Sequence, residues 1–168
     1  PILQNMQLGG MSYGFQEGVD WQILGLQPNG FGCVFDLVGG GRTFSGLKLL
    51  LSGRHNALNA AAAFALGWSL GLSEETLRSG LASFQGVLRR CERKGEWKEA
   101  LFLDDYAHHP QEIAATLLGI RQAIGERRLI VCFQPHRYTR TRDCWNEFGQ
   151  AFVLADQVIL TDIYGAGE

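Results

Sequence analysis

Apolar and polar positions follow two different patterns along the chain. Up to about residue 52 the pattern is that of β-strands with turns, with strand-like segments at 21–26, 32–38 and 43–50. The glycine run Gly39–Gly41 between the last two segments suits a hairpin turn, because glycine reaches positive φ without steric cost. We therefore predict a small antiparallel sheet in this part of the chain.

Two helices are predicted after this sheet. The first is alanine-rich, runs from about Ala57 to Leu70, and should pack closely on most sides. Gly71 suits its C-terminal end, and Ser73 suits the N-cap of a second helix that runs to about Phe84. The first part of the chain is thus predicted to be a small antiparallel sheet plus helices.

From residue 99 onward the predicted order is strand, helix, strand, helix, strand. The apolar runs 101–103, 129–133 and 158–160 each end in polar, reactive residues, and helical segments from about Pro110 and Asp143 separate them. We expect the runs to be neighbouring parallel strands of one sheet, because right-handed crossovers place the helices on its faces. Ligands bind outside the carboxyl ends of such strands, so the reactive residues should meet there.

The segment 85–98, with glycines and mixed charge, is the best boundary between two domains, and we divide the chain into residues 1–88 and 89–168. The predicted fold class is α/β. The chain starts in what reads as mid-domain sequence and stops just after a strand, so we expect a piece of a longer protein.

Composition narrows the class of protein. The 168 residues are 46% hydrophobic and 19% charged with a formal net charge of −2, which argues against a general nucleic-acid binder. No apolar run approaches the ~20 residues of a membrane span, and the first residues do not form a secretory signal. We expect a cytoplasmic protein with reduced cysteines, and since no C-x-x-C pair occurs, a zinc site is not expected.

The segment 104–110 contains candidate chemistry at the end of the first run. Asp105 suits a ribose diol or a metal-bound phosphate, and the adjacent His108 and His109 could orient or deprotonate a nucleophile. The alternative is that Asp105 or His109 only caps the following helix. A metal site of His108, His109 and His136 is disfavoured, because adjacent histidines in an extended segment point apart.

The segment 136–142 follows the second run and holds His136, Arg137, Arg140 and a third arginine. Guanidinium groups bind carboxylate and phosphate oxygens in a bidentate manner, so this segment predicts an anion site. The alternative is a solvated basic loop. We favour the anion site because the segment directly follows a buried strand.

Asn56 and Asn59 lie three residues apart and share a face of the first predicted helix. Two side-chain amides on one face could bind a purine edge. The alternative is that Asn56 caps the helix and Asn59 satisfies a nearby backbone group.

Taken in order, the segments 53–60, 86–90, 104–110 and 133–141 resemble the Mur ligases, the ATP-dependent amide ligases of peptidoglycan synthesis. The resemblance covers about residues 11–168. It implies that residues 1–88 are the end of a central ATPase domain and residues 89–168 the first part of a Rossmann-like C-terminal domain. The phosphate loop of the ATPase and the sugar-binding domain would lie in other portions of the same chain. Departures from the family pattern are Ala107 for glycine, Gln111 for threonine, and Cys91 where an aromatic residue is usual.

The resemblance also implies roles for matching positions. ATP would be bound by His55, Asn56, Asn59, Arg90 and Asp105. The amino acid and the acyl centre would be bound by Tyr106, His136, Arg137 and Arg140, with His108, Arg137 and Arg140 as catalytic residues.

The implied activity is ATP-dependent ligation of L-alanine to UDP-N-acetylmuramate through an acyl phosphate, with Mg²⁺. The motif at 133–141 favours this activity over tripeptide recycling. The other alternative is a non-catalytic nucleotide-binding module. No nucleic-acid or membrane partner is expected.

Overall fold

The computed structural model describes residues 10–168, so the first nine residues of the predicted first domain lie outside the described part. The chain divides into two compact units, Pro1–Gln85 and Gly86–Glu168. Each unit has its own core and is described by itself. No helix among the described residues is both long and apolar enough to cross a membrane.

The first unit contains a four-stranded sheet in the order β1-β2-β3-β4. Its strands are β1 (Tyr13–Gly14), β2 (Trp21–Asn29), β3 (Gly32–Gly39) and β4 (Arg42–Leu49). Strands β2, β3 and β4 are antiparallel as predicted, whereas the short β1, which was not predicted, runs parallel to β2. Gly40 and Gly41 join β3 to β4 with φ of 56° and 75°. Both angles are positive, as a two-residue hairpin turn of this kind requires, and the turn lies within the predicted glycine run.

Two helices, α1 (Arg54–Ser69) and α2 (Glu74–Ser83), follow the sheet. The first begins at Arg54 rather than at the predicted Ala57, and it ends in the Schellman hydrogen-bond pattern, with Gly71 at φ 83°. Ser73 caps α2 as predicted, accepting the backbone N–H of Thr76 at 3.1 Å. The core includes Phe44 of β4 and Phe64 of α1, whose ring centroids lie 4.7 Å apart.

The second unit contains two separate two-stranded sheets and three helices. Its elements are β5 (Glu92–Trp97), β6 (Ala100–Asp104), α3 (Pro110–Ile124), β7 (Ile130–Phe133), α4 (Tyr138–Asp143), α5 (Trp145–Ala151) and β8 (Gln157–Leu160). Ile113, Leu117 and Ile120 of α3 are buried against Phe133 of β7. The predicted apolar stripe of α3 is thus the centre of this core, and the α/β class is confirmed.

The prediction that three apolar runs form one parallel sheet is wrong in part. Strands β7 and β8 are parallel neighbours, but β6 pairs antiparallel with β5 in a separate sheet. The strand β5 was missed because it is charged and largely exposed, so it has no apolar alternation. The helix predicted from about Asp143 to Leu154 is observed as the shorter α5, whereas α4, which precedes it, was not predicted.

Candidate functional site

The end of β6 holds a neighbouring turn in place through the carboxylate of Asp105. Its two oxygens accept the backbone N–H groups of Cys91 at 2.7 Å and Ala107 at 2.8 Å. The backbone N–H of Tyr106 donates to the carbonyl of Arg89 at 2.7 Å. Arg89 and Cys91 have positive φ of 59° and 50°, so the two bonds that reach Cys91 and Arg89 stabilise an unfavourable turn conformation. The predicted site residue Asp105 therefore has a structural role, and each oxygen keeps capacity for a further donor.

The turn also presents two arginines. The guanidinium of Arg89 lies 4.5 Å from the ring centroid of Tyr106 and 3.8 Å from the carboxylate of Asp104. Arg90, the predicted ATP ligand, is exposed beside it. The stacked contact of Arg89 on the predicted site residue Tyr106 was not foreseen, because a cation–π pair depends on a backbone turn that the sequence pattern does not reveal.

His108 is held by its own segment and by Glu112 of α3. Its Nδ1 lies 2.9 Å from the carbonyl oxygen of Tyr106 and 3.6 Å from the Glu112 carboxylate. The same carboxylate accepts the backbone N–H groups of His108 at 3.0 Å and His109 at 3.3 Å. His109 occupies the N-cap position of α3, in agreement with the alternative in which it caps the following helix.

The pKa of Glu112 reflects these contacts. Partial burial raises the pKa of its carboxyl. The backbone N–H groups of His108 and His109 oppose this effect, and the charges of His108 and Arg90 add to theirs. The pKa of Glu112 therefore lies below its ordinary value. Sequence reasoning missed Glu112. Its signal was local: a glutamate three residues after a cap position, which is the spacing of a capping box.

The segment after β7 is not a loop throughout, because α4 begins inside it. Arg137 precedes α4, and its backbone N–H donates to the carbonyl of Tyr164 at 2.8 Å. His136 forms a parallel bridge with the same Tyr164. The buried Thr141 donates to the Arg137 carbonyl from its N–H at 3.1 Å and its hydroxyl at 2.8 Å. These bonds hold Arg137 at φ 73° and ψ 134°, a conformation that only glycine adopts readily.

Arg140 and Glu168 reinforce the same segment. Arg140 is half-buried, and its Nη1 lies 3.2 Å from both the carbonyl oxygen and Nδ1 of His136. The Glu168 carboxylate accepts the N–H of Thr139 at 3.0 Å and also its hydroxyl. The Thr139 hydroxyl and N–H are the leading causes that lower the pKa of Glu168. Tyr164 and Glu168 were missed, since they contact this segment from far along the chain.

The two segments meet within the second unit. The ring centroids of His108 and His136 lie 6.0 Å apart, and His108 lies 5.2 Å from Tyr106. The structure thus brings together the predicted residues Tyr106, His108, His136 and Arg140. No group of three or more His, Cys, Asp or Glu side chains suited to a metal occurs within residues 10–168.

The predicted purine-binding residues lie in the other unit, on the first turns of α1. Gly53 is the N-cap residue of α1, so the alternative in which Asn56 caps the helix is wrong. The half-buried Asn56 instead donates from Nδ2 to the Ser52 carbonyl at 2.7 Å. His55 and Asn59 are exposed.

Comparison with known proteins agrees with this geometry. Residues 89–167 match the sequence profile described as "Mur ligase, glutamate ligase domain". The chain is 52% identical over 159 residues to a UDP-N-acetylmuramate–L-alanine ligase of Protochlamydia amoebophila (strain UWE25). The matched segment covers 95% of this chain and 35% of that protein.

Solved structures also resemble the chain. The UDP-N-acetylmuramate–alanine ligase MurC of Thermotoga maritima matches with a TM-score of 0.83 and 30% identity, over 96% of this chain and 36% of that one. A murein peptide ligase of Psychrobacter arcticus 273-4 matches with a TM-score of 0.56 and 28% identity, over 89% of this chain and 31% of that one. The chain spans about a third of the length of these relatives. Its second unit is a Mur ligase C-terminal domain, and the chain belongs to the Mur ligase family.

Proposed function

We propose that the protein containing this chain ligates L-alanine to UDP-N-acetylmuramate at the expense of ATP, in bacterial peptidoglycan synthesis in the cytoplasm. The observation that carries the proposal is the meeting of the two reactive segments, with the rings of His108 and His136 6.0 Å apart. The names of the similar proteins, a UDP-N-acetylmuramate–L-alanine ligase and MurC, support the same substrate pair.

Residues 1–88 are proposed as the C-terminal part of the central ATP-binding domain and residues 89–168 as the first part of the ligase domain. ATP would be bound by a set of polar side chains, namely His55, Asn56, Asn59, Arg90 and Asp105. Asp105 fits a ribose diol even though backbone N–H groups occupy one position on each oxygen, because a carboxylate oxygen can accept a second hydrogen bond.

In the proposed reaction the muramoyl carboxylate is first phosphorylated to an acyl phosphate. The neutral amine of L-alanine then attacks, and phosphate leaves from a tetrahedral intermediate. Each step places negative charge on oxygen, so preorganised guanidinium groups are suited to catalysis. Arg137 and Arg140 would bind the alanine carboxylate or the developing oxyanion, while Tyr106, His108 and His136 line the same place.

Mg²⁺ is proposed as the metal that accompanies ATP. The residues described for this chain do not form a group of three metal ligands, so they do not by themselves fit a metal site. The phosphates of ATP and other portions of the full-length protein would have to provide the ligands.

The test is phosphate release from ATP by the full-length protein. We expect release only when UDP-N-acetylmuramate and L-alanine are both present. Turnover that ignores L-alanine but responds to the tripeptide would assign the protein to tripeptide recycling. ATP binding without turnover on any of these substrates would identify a non-catalytic module.

The isolated chain of residues 1–168 is expected to have no ligase activity, because its sequence contains no glycine-rich phosphate loop ending in Lys-Thr or Lys-Ser. Amide formation by this chain alone, measured by chromatography of the UDP product, would contradict the assignment of its first unit.

A further inference from the structure

The ring of His136 has a defined tautomer because of its neighbour. The Nη1 of Arg140 lies 3.2 Å from His136 Nδ1. A guanidinium donates hydrogen bonds and cannot accept them, so His136 Nδ1 must be the acceptor in this contact. In the neutral ring the proton of His136 is therefore on Nε2.

The ring of His108 has the opposite tautomer. Its Nδ1 lies 2.9 Å from the carbonyl oxygen of Tyr106, which can only accept, so His108 Nδ1 must carry the proton. The Glu112 carboxylate, 3.6 Å from the same nitrogen, favours a proton there as well. In the neutral ring Nε2 of His108 is left with its lone pair.

We propose that His108 and His136 form a pair of opposite tautomers, in which His108 accepts a proton at Nε2 and His136 donates a hydrogen bond from Nε2. The rings lie together, with centroids 6.0 Å apart. Arg140 and Glu112 are positioning residues of this pair, Arg140 for the His136 ring and Glu112 for the His108 ring. The chemical meaning of the pair rests on the proposed function.

In the proposed reaction the ammonium of the amino acid loses two protons. His108 Nε2 takes one proton from the ammonium of the amino acid, which gives imidazolium and a neutral amine. The amine lone pair forms the C–N bond to the acyl carbon, and the C–O bond to the phosphate breaks. The phosphate leaves with that electron pair, and the second ammonium proton passes to solvent. His136 Nε2–H donates to the oxyanion of the intermediate and transfers nothing.

A purely structural reading assigns Glu112 to capping of α3 and Arg140 to fixing its own helix. That reading predicts nothing about ring protons. The two readings therefore differ in a quantity that is independent of activity, namely which nitrogen of each ring is protonated.

The first experiment is ¹⁵N NMR of histidine-labelled full-length protein at about pH 8, where an ordinary imidazole is neutral. The His108→Gln and His136→Gln variants assign the signals. We expect His108 protonated at Nδ1 and His136 at Nε2, and Arg140→Leu should abolish the preference of His136 but not that of His108. Two rings with the same tautomer in the wild-type protein would overturn the proposal.

The second experiment uses the same substitution at both rings. A glutamine amide can replace an N–H donor but is no base, so His136→Gln should lower kcat by no more than roughly tenfold, whereas His108→Gln should lower it by roughly 10²–10⁴-fold. Equal losses in both variants would contradict the assigned roles. His109→Asn, which keeps a good N-cap residue beside the pair, is the matched comparison and should lower kcat less than His108→Gln does.

The two proposals fail in distinguishable ways. If the protein does not use L-alanine but the rings show opposite tautomers, the proposed function falls and the tautomer pair stands. If L-alanine is ligated but the tautomers are equal, the function stands and the pair falls.

Discussion

Arg137 offers the sharpest test of the link between backbone and function in this chain. Its φ of 73° and ψ of 134° are unfavourable for any residue with a Cβ. Glycine at this position would remove the unfavourable contact, but it would also remove the guanidinium. We therefore predict that Arg137→Gly is more stable than Arg137→Ala, although both variants lose activity.

Two opposing contributions determine the difference in stability between Arg137→Gly and Arg137→Ala. A non-glycine residue held in such a region costs on the order of 1–3 kcal/mol, and alanine keeps that cost. Glycine removes it but loses roughly 0.5–1 kcal/mol more backbone entropy on folding. The difference favours Arg137→Gly by about 1 kcal/mol. Since the side chain of Arg137 is exposed, loss of its packing should contribute little to either variant.

The assay is urea unfolding of the 168-residue chain, where an m value of about 1–3 kcal/mol/M converts this difference into a midpoint shift of roughly 0.3–1 M. In the full-length protein both variants should lower kcat/KM by one to two orders of magnitude, about 1.5–3 kcal/mol of charge-assisted contact. Equal midpoints would refute the inference of backbone strain. Full activity of Arg137→Gly would refute a role for the guanidinium.

Three further predictions concern other parts of the molecule. Arg140→Ala should lower kcat/KM roughly tenfold to hundredfold when L-alanine is titrated at saturating ATP, and Arg140→Lys should recover only part of the loss. Unchanged kinetics in both variants would contradict an anion-binding role of Arg140. Phe44→Ala should lower the free energy of unfolding by about 3–5 kcal/mol in urea titrations, because Phe44 is 0% exposed. Leu66 is 57% exposed, so Leu66→Ala should change the free energy of unfolding little. Similar effects of the two substitutions would contradict the assigned core. The folded-state pKa of Glu112 is lowered, so its stabilising contribution is present above the ordinary value of 4.5 and is lost as acid takes the pH below it. Glu112→Gln should therefore show a smaller loss of stability between about pH 7 and about pH 3 than wild type does, and an equal loss would contradict this.

Local signals predicted local structure well. The glycine turn at Gly40 and Gly41 and the cap at Ser73 depend on steric and hydrogen-bonding preferences of the residues themselves, and the structure confirms both. Strand pairing was less predictable, because an apolar run shows that a strand exists but not which neighbour it bonds to. The antiparallel pairing of β6 with the charged β5 is the example.

The two reactive segments nevertheless meet, although not for the reason expected from the sequence. Strands β6 and β7 are in different sheets, but Leu103 of β6 and Phe133 of β7 belong to one apolar cluster centred on α3. Shared packing on a helix therefore positions the strand ends, rather than direct strand pairing. The contacts of Tyr164 and Glu168 could not be predicted, since hydrogen bonds between residues so far apart in sequence depend on the finished fold.

The carboxylates of the site bind backbone groups rather than the guanidinium of Arg140. Asp105 accepts N–H groups of the 89–91 turn and its own segment, Glu112 accepts those of two histidines, and Glu168 accepts that of Thr139. Arg140 donates to His136 rather than neutralising one of these charges. Negative side chains thus fix the shape of the site through hydrogen bonds to the backbone, and the guanidinium of Arg140 is held by His136. In the proposed reaction, in which charge develops on oxygen, Arg140 would stabilise the transition state without first breaking an ion pair with these carboxylates.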